Sequence, residues 1–145
     1  MRLQPVNRLA PEGTAGGATH AASAGDLPVR IVTFAGVLLS AVIHFVLYFD
    51  GMSAYSIVGP LFLLNAVGGL GIAVAVLVWR HWLPPLGAVG FGALTLAAFL
   101  VARTVGLLGV RETTWYLTEV LAMIGDIVAL VGGLVLLVRA GRRRR

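Results

Sequence analysis

Residues 60–79 read PLFLLNAVGGLGIAVAVLVW, a run of 20 residues without one charged side chain. An α-helix of about 20 apolar residues spans the roughly 30 Å hydrocarbon core of a bilayer. The run does not alternate between polar and apolar residues, as the strands of a membrane β-barrel do. Because lipid offers the backbone no hydrogen-bond partners, a helix is the remaining way to cross. The run therefore predicts a transmembrane helix.

Three further apolar runs have comparable length, at about 29–49, 85–108 and 115–138. Across the chain 59% of residues are hydrophobic and 12% are charged, whereas a soluble domain carries about 25% charged residues. The mean hydropathy is +0.95. Too few charged groups are present to cover a globule in water, so the main solvent must be lipid. With short connections between the runs, the sequence predicts one all-α membrane domain, an antiparallel four-helix transmembrane bundle.

The two flanks of the predicted bundle lack long apolar runs. Residues 1–28 include a stretch rich in Gly, Ala, Ser and Thr, which buries too little apolar surface to fold, so we expect disorder there. Residues 139–145 form a basic tail. With the N-terminus inside, nine arginines fall in inner segments and two, Arg103 and Arg111, in outer ones. The positive-inside rule then predicts a multi-pass protein of the plasma membrane with both termini in the cytoplasm.

Charge and cysteine content exclude several classes of function. All 11 basic residues are arginines and the formal net charge is +5. The arginines lie at the ends of the apolar runs and in the tail, so we expect no nucleic acid as a partner. The absence of cysteine removes thiolate catalysis, iron–sulfur ligation and cysteine-based zinc sites. No Ser/His/Asp arrangement is placed for nucleophilic catalysis, which favours a protein that is not an enzyme.

Small residues recur at a spacing of four within the runs. The examples are Gly69 with Ala73, Ala88 with Gly92, and Gly125 with Ala129 and Gly133. Such spacing lets helix backbones approach closely in lipid, and together the examples predict a compact bundle. The glycines within 68–71 lack the strand–turn–helix setting of a dinucleotide site, so we interpret them as packing glycines.

Polar side chains within the spans are costly in hydrocarbon and therefore indicate function. With the predicted orientation, five of them fall in the outer half of the bundle. This set, the polar cluster, consists of His44, Asn65, Arg103, Glu119 and Asp126. Arg103 is the expected partner of one carboxylate. Two acids against one base cannot both ionise cheaply, so we expect the deeper Asp126 to hold a proton, with His44 as a candidate hydrogen-bond partner.

Two interpretations of the polar cluster stay open. In the first it lines an outward-facing cavity that binds a small ligand, a proton or a cation. In the second it is structural and fixes helix register, through hydrogen bonds that average about 0.6 kcal/mol in one membrane protein. A haem with two histidine ligands needs both at one depth, whereas His44 and His81 lie in opposite halves. The sequence indicates no metal site and names no cofactor.

Three sets of residues carry a family resemblance. They are His44 near the end of the first span, then Gly59, Phe62 and Ala66 opening the second, and the string Arg103-Thr104-Val105-Gly106-Leu107 closing the third. In these features, and in an acidic residue of the fourth span, the chain resembles a group of uncharacterised four-span membrane proteins of high-GC Gram-positive bacteria. The resemblance covers about residues 36–138. Many relatives have a proline where this chain has Leu108. The group implies the architecture and the same marked residues, without an activity.

The sequence leaves three functions open. The first is a non-enzymatic accessory or binding component of the cell envelope, whose polar cluster holds a ligand or a partner helix. The second is a small transporter or channel subunit that uses a protonatable intramembrane carboxylate. The third is a membrane redox or quinone-binding subunit that uses His44. The expected partners are the lipid bilayer and either a larger membrane complex or further copies of the chain.

Overall fold

The computed structural model describes residues 25–111 and 114–144, and within these ranges the chain is all-α. Residues 1–24 of the segment predicted to be disordered lie outside the described residues. Four long helices follow one another: α1 at Leu27–Phe49, α2 at Val58–Val78, α3 at Leu83–Thr104 and α4 at Leu117–Arg142. A short 3₁₀ helix, Met52–Ala54, lies between α1 and α2. The predicted four-helix bundle is confirmed.

Each of the four helices is long and apolar enough to cross a membrane, and the chain is a multi-pass membrane protein. Prolines occupy the first turn of α1 and of α3, where a missing backbone N–H breaks no intrahelical hydrogen bond. Gly51 follows α1 with a φ of 114°, a left-handed conformation that glycine adopts at little cost. Local sequence therefore sets where the first and third helices begin and the first one ends.

Most helix boundaries lie within two residues of the predicted spans, and the ends of α3 and α4 differ by four. α3 ends at Thr104 and not at 108, because Gly106 has a φ of 89° and a tight turn follows. In that turn the backbones of Leu107 and Val110 exchange hydrogen bonds of 2.8 and 2.9 Å. α1 begins at Leu27 and α4 continues to Arg142, so the edges of both predicted flanks are helical.

The helices form an arc in the order α2, α1, α4, α3. α1 packs extensively on α2 and on α4, and α4 packs on α3, whereas contact between α2 and α3 is much sparser. We call the end with Leu27, Val78, Leu83 and Arg142 the terminal end, and the opposite end the loop end. The sequence neighbours α2 and α3 thus close the arc only weakly.

Small residues mediate the closest helix contacts, as the four-residue spacing predicted. A Cβ atom on Gly125 would lie 2.7 Å from the carbonyl oxygen of Gly36, and one on Gly133 would lie 2.7 Å from that of Pro85. On α3, a Cβ on Gly92 would collide with the carbonyl oxygen of Asp126. α4 therefore lies backbone to backbone against both α1 and α3.

The glycines within 68–71 correct one interpretation. A Cβ on Gly69 would lie 2.7 Å from the Phe91 ring and 2.8 Å from Cβ of Ala41, so this glycine does pack. Gly68 and Gly71 have nothing within 4 Å of such an atom. They point away from the helix contacts because they lie one and two residues from Gly69, and neighbouring positions of a helix face in different directions.

Basic side chains tie the terminal end together. The Arg30 guanidinium donates to the carbonyl oxygens of Val76 at 2.6 Å and Trp79 at 3.2 Å, which lack intrahelical partners at the end of α2. Asp26 forms ion pairs with Arg139 at 3.5 Å and Arg143 at 3.0 Å. These contacts link the start of α1 to the ends of α2 and α4.

Candidate functional site

A cavity of about 620 Å³ lies between α2 and α3 towards the loop end. Towards the terminal end its lining stops at Ile72 of α2 and Gly87 of α3. Met52 of the 3₁₀ helix and Val110 of the α3–α4 connection also line it, so both loops border it at the loop end. The cavity exists because α1 and α4 hold α2 and α3 apart where these two helices do not touch.

The cavity opens sideways, in the direction that faces lipid in a membrane. Leu64 and Leu94 line it while remaining 67% and 74% exposed. Gly68 on α2 and Gly90 on α3 also line it, and a Cβ atom on either would meet nothing within 4 Å. The missing side chains at these two positions widen the gap between the helices. A molecule dissolved in the bilayer can therefore reach the cavity without passing through either loop.

The polar cluster converges on this cavity. Four of its five residues line the cavity from three helices, namely His44 of α1, Asn65 of α2, and Glu119 and Asp126 of α4. The fifth, Arg103, lies behind Glu119 and contacts it directly. Most of the remaining lining is apolar. A largely apolar cavity with a few convergent polar groups is the usual form of a small-molecule site.

Of the two acids in the polar cluster, Glu119 is the one that pairs with Arg103. One guanidinium nitrogen lies 3.0 Å from Oε2 of Glu119, and the two side chains are 11% and 12% exposed. The same nitrogen donates to the carbonyl oxygen of Thr114 at 3.0 Å, and the guanidinium carbon lies 3.7 Å from the centre of the Trp115 ring. Glu119 also accepts from the backbone N–H of Tyr116 at 3.4 Å, at the start of α4.

His44 bonds to its own helix. Its Nδ1 lies 2.8 Å from the carbonyl oxygen of Ser40 and 3.3 Å from the Ser40 hydroxyl. The ring also lies against Phe62 of α2, with 5.0 Å between ring centres. Since a carbonyl oxygen only accepts, Nδ1 carries a proton, and in the neutral ring Nε2 is an acceptor. His44 was a candidate hydrogen-bond partner of Asp126, but its Nδ1 bonds to the Ser40 carbonyl oxygen instead.

Asp126 is the most deeply buried polar group of the cavity wall. The residue is 2% exposed, and its carboxyl interacts with the Ser40 hydroxyl. Its Oδ1 atom is buried and finds no hydrogen-bond partner among the described residues. Such a group is destabilising unless a ligand or water completes it. Asp126 is therefore the strongest single indication that the cavity has an occupant.

Sequence reasoning missed part of the lining. Phe62, Phe91 and Thr95 line the cavity, and none of them belongs to the predicted polar cluster. Gly87 and Gly90 lie beside Ala88 and Gly92 in sequence, yet the first pair lines the cavity and the second pair is buried in helix contacts. The cavity-lining residues of α3 recur at spacings of three and four. Residues that pack against another helix have the same period, so the sequence does not distinguish the two.

The described residues hold no group of three or more His, Cys, Asp or Glu side chains placed to bind a metal ion.

A scan of the chain against protein-family models gives no match, and searches of the curated proteins and of the solved structures find none. The function is therefore argued from the cavity itself.

Proposed function

We propose that the protein is a non-enzymatic, membrane-embedded binding component of the cell envelope that takes a lipophilic small molecule from the bilayer into the cavity between α2 and α3. The unpartnered Oδ1 atom of Asp126 within a laterally open, mostly apolar cavity supports this most directly. The apolar lining suits a hydrocarbon body, and the convergent polar groups suit a polar head.

The cavity size favours a small molecule over a partner helix. A cavity of about 620 Å³ falls in the range of roughly 300–1,000 Å³ that small ligands occupy. A transmembrane helix is about 10 Å wide and needs about 30 Å to cross, so it exceeds this volume several times. We propose on the same basis that any partner subunit docks elsewhere on the bundle.

The polar groups of the cavity end at Asp126, and this supports binding over transport. On the terminal side of Asp126, the described part of α4 packs through Gly132 against Thr33 and through Gly133 against Pro85. A smaller polar pocket of about 250 Å³, lined by Arg30 and His81 among others, lies at the terminal end beyond this packed stretch. A small transporter or channel subunit would have to complete its path through further copies of the chain, and flux through vesicles holding the purified protein would reveal it.

We propose that the protein lies in the plasma membrane with its termini in the cytoplasm. The arginine distribution supports this orientation, which places the cavity in the outer leaflet. Because the natural chain has no cysteine, single cysteines introduced at Ser53 and at Ala140 can be labelled from one side without background. We expect only Ser53→Cys to react with an impermeant maleimide added to intact cells.

The binding proposal is tested by photolabelling with a small lipophilic diazirine in lipid nanodiscs. Phe91 is 8% exposed and lines the cavity, so its labelling reports entry into the cavity rather than contact with bulk lipid. We expect labelling at Phe91 that saturates with probe concentration. Gly90→Leu should abolish it, because the new side chain fills open space in the cavity.

A matched control is available on α2. Gly71 is exposed and does not line the cavity, and a Cβ atom on it would meet nothing within 4 Å. Gly71→Leu therefore adds the same bulk outside the cavity and should leave labelling unchanged. Labelling of Phe91 that rises linearly with probe concentration, or that Gly90→Leu leaves intact, would overturn the proposal.

A further inference from the structure

We infer that the ligand of this cavity carries a cationic, hydrogen-bond-donating head, of the class of a primary ammonium on an apolar tail. The inference rests on the proposed function and adds the chemical class of the ligand. It follows from counting which polar atoms of the cavity wall can still donate and which can only accept.

The histidine and threonine of the wall have used their donors on their own helices. The Nδ1–H of His44 is donated to the Ser40 carbonyl oxygen at 2.8 Å, which leaves Nε2 as an acceptor. The Thr95 hydroxyl donates to the carbonyl oxygen of Phe91 at 2.8 Å, so only its lone pairs remain. Both side chains line the cavity and offer it acceptors.

The two carboxyl groups differ in how they are neutralised. Glu119 has a cation at 3.0 Å in Arg103, so that pair brings no net charge to the wall. Asp126 has no ion pair among the described residues, and its buried Oδ1 has no hydrogen-bond partner there. The carboxyl avoids the cost of a buried unpaired charge either by holding a proton, as expected from the sequence, or by pairing with a cation. An ammonium head would supply both the missing charge and the missing donor.

Asn65 is the one lining side chain of the described residues that keeps a free N–H donor by its chemistry. A ligand rich in acceptors, such as a quinone, would leave the acceptors of His44 and Thr95 unmatched, even if a protonated Asp126 donated to it. A ligand rich in donors would satisfy several wall atoms at once. The balance of donors and acceptors therefore separates the ammonium class from the quinone class that the sequence left open.

The test compares four nine-carbon probes that share a tail and differ in the head: nonylamine, 1-nonanol, 2-nonanone and nonanoic acid. Each is titrated at neutral pH against the saturable diazirine labelling of Phe91 in nanodiscs of zwitterionic lipid. We expect nonylamine to displace the label at least about tenfold more potently than 1-nonanol, since hydrogen bonds to charged groups are worth more than neutral ones. The ketone and the acid should be weaker than the alcohol.

The matched variant is Asp126→Asn, which keeps the shape of the side chain and removes its charge. It should reduce the preference for the amine over the alcohol to about threefold or less, while the alcohol keeps its potency. Equal potency of amine and alcohol on the natural protein, or the ketone as the strongest competitor, would overturn the inference even if the variant fails to fold.

Failure of the inference and failure of the proposed function give different results. If the label saturates but the head group makes no difference, the cavity binds a lipophile and only the ligand class is wrong. If no saturable labelling occurs with the natural protein, both are wrong. An amine preference that survives Asp126→Asn would remove Asp126 from the site.

Discussion

The same two helices meet at one end of the bundle and separate at the other, and the contrast locates the site. At the edge of the cavity nearest the terminal end, a Cβ on Gly87 of α3 would lie 3.5 Å from Ile72 of α2. Towards the loop end, Gly68 and Gly90 would meet nothing within 4 Å. Glycines of α3 thus face α2 at contact distance at one level and open space one turn further on, because the two helices diverge towards the loop end.

The ion pairs at the two ends of the bundle differ in how far they are exposed to water. Arg103 and Glu119 form their pair behind the cavity wall, where the side chains are 11% and 12% exposed. At the terminal end the arginines that pair with Asp26 are 43% and 44% exposed. A pair removed from water is strongly destabilising to break, whereas an exposed pair contributes little. The loop end should therefore be the more sensitive of the two to loss of a charge.

The largest effect is expected for Arg103→Met. The substitution keeps an apolar stem but leaves the Glu119 carboxylate without its cation in a mostly apolar wall, and breaking such a pair typically costs about 3 kcal/mol or more. The free energy of unfolding in mixed detergent micelles measures the loss. The same variant should weaken saturable labelling of Phe91, since Glu119 lines the cavity.

A double variant checks the cause. Adding Glu119→Gln removes the unpaired charge, and the Gln side chain can still accept the hydrogen bond that the Tyr116 N–H donates to Glu119 in the natural protein. We expect the double variant to regain a large part of the lost stability. If the double variant were as unstable as the sum of the two single ones, the ion pair would not be the reason for the effect.

An intermediate effect is expected for Gly92→Ala on α3. The added methyl would collide with the carbonyl oxygen of Asp126 and approach the backbone nitrogen of Leu130 to 2.9 Å. Backbone atoms cannot rotate away, so α3 and α4 must separate, and overpacking of this kind costs about 1–3 kcal/mol. Thermal unfolding of the purified protein measures it.

Gly90→Ala is the control for that prediction, two residues away on the same helix. Its methyl would enter open space, and alanine is the better helix former, so the melting temperature should stay the same or rise slightly. Equal destabilisation by the two substitutions would show that glycine acts through helix flexibility and not through contact between α3 and α4.

Hydropathy predicts much of the fold, and the places where it fails also have a physical reason. The runs that predicted four spans succeed because lipid permits only helices or closed barrels. The end of α3 was misplaced because Val105, Leu107 and Leu108 are apolar, while the left-handed backbone at Gly106 that ends the helix leaves no trace in hydropathy. Conformation and polarity are independent properties at that point.

The candidate site was predicted in composition but not in shape. Polar side chains are costly in hydrocarbon, and this identified a set of four that do line one cavity: His44, Asn65, Glu119 and Asp126. Sequence could not say that α2 and α3, although joined by a short connection, would touch less than the other helix pairs that follow one another in the chain. That depends on which faces α1 and α4 cover, a property of the assembled bundle. The pairing of His44 with Ser40 was likewise hidden, although their spacing of four placed them on one stripe.

The smallest effect is expected for Asp26→Asn at the terminal end. It removes the carboxylate that pairs with Arg139 and Arg143, but the arginines are half exposed and remain solvated, so the loss should stay below about 1 kcal/mol. Salt separates it from the Arg103 variant, because about 1 M salt shortens the screening length to roughly 3 Å and weakens exposed pairs far more than buried ones. Raising the salt concentration should therefore erase the loss of stability caused by Asp26→Asn and preserve the loss caused by Arg103→Met, as measured by unfolding at low and at high salt. A loss for Asp26→Asn that matches Arg103→Met and persists in high salt would mean that the terminal end is also sealed from water, and the contrast between the two ends would then lie in helix packing alone.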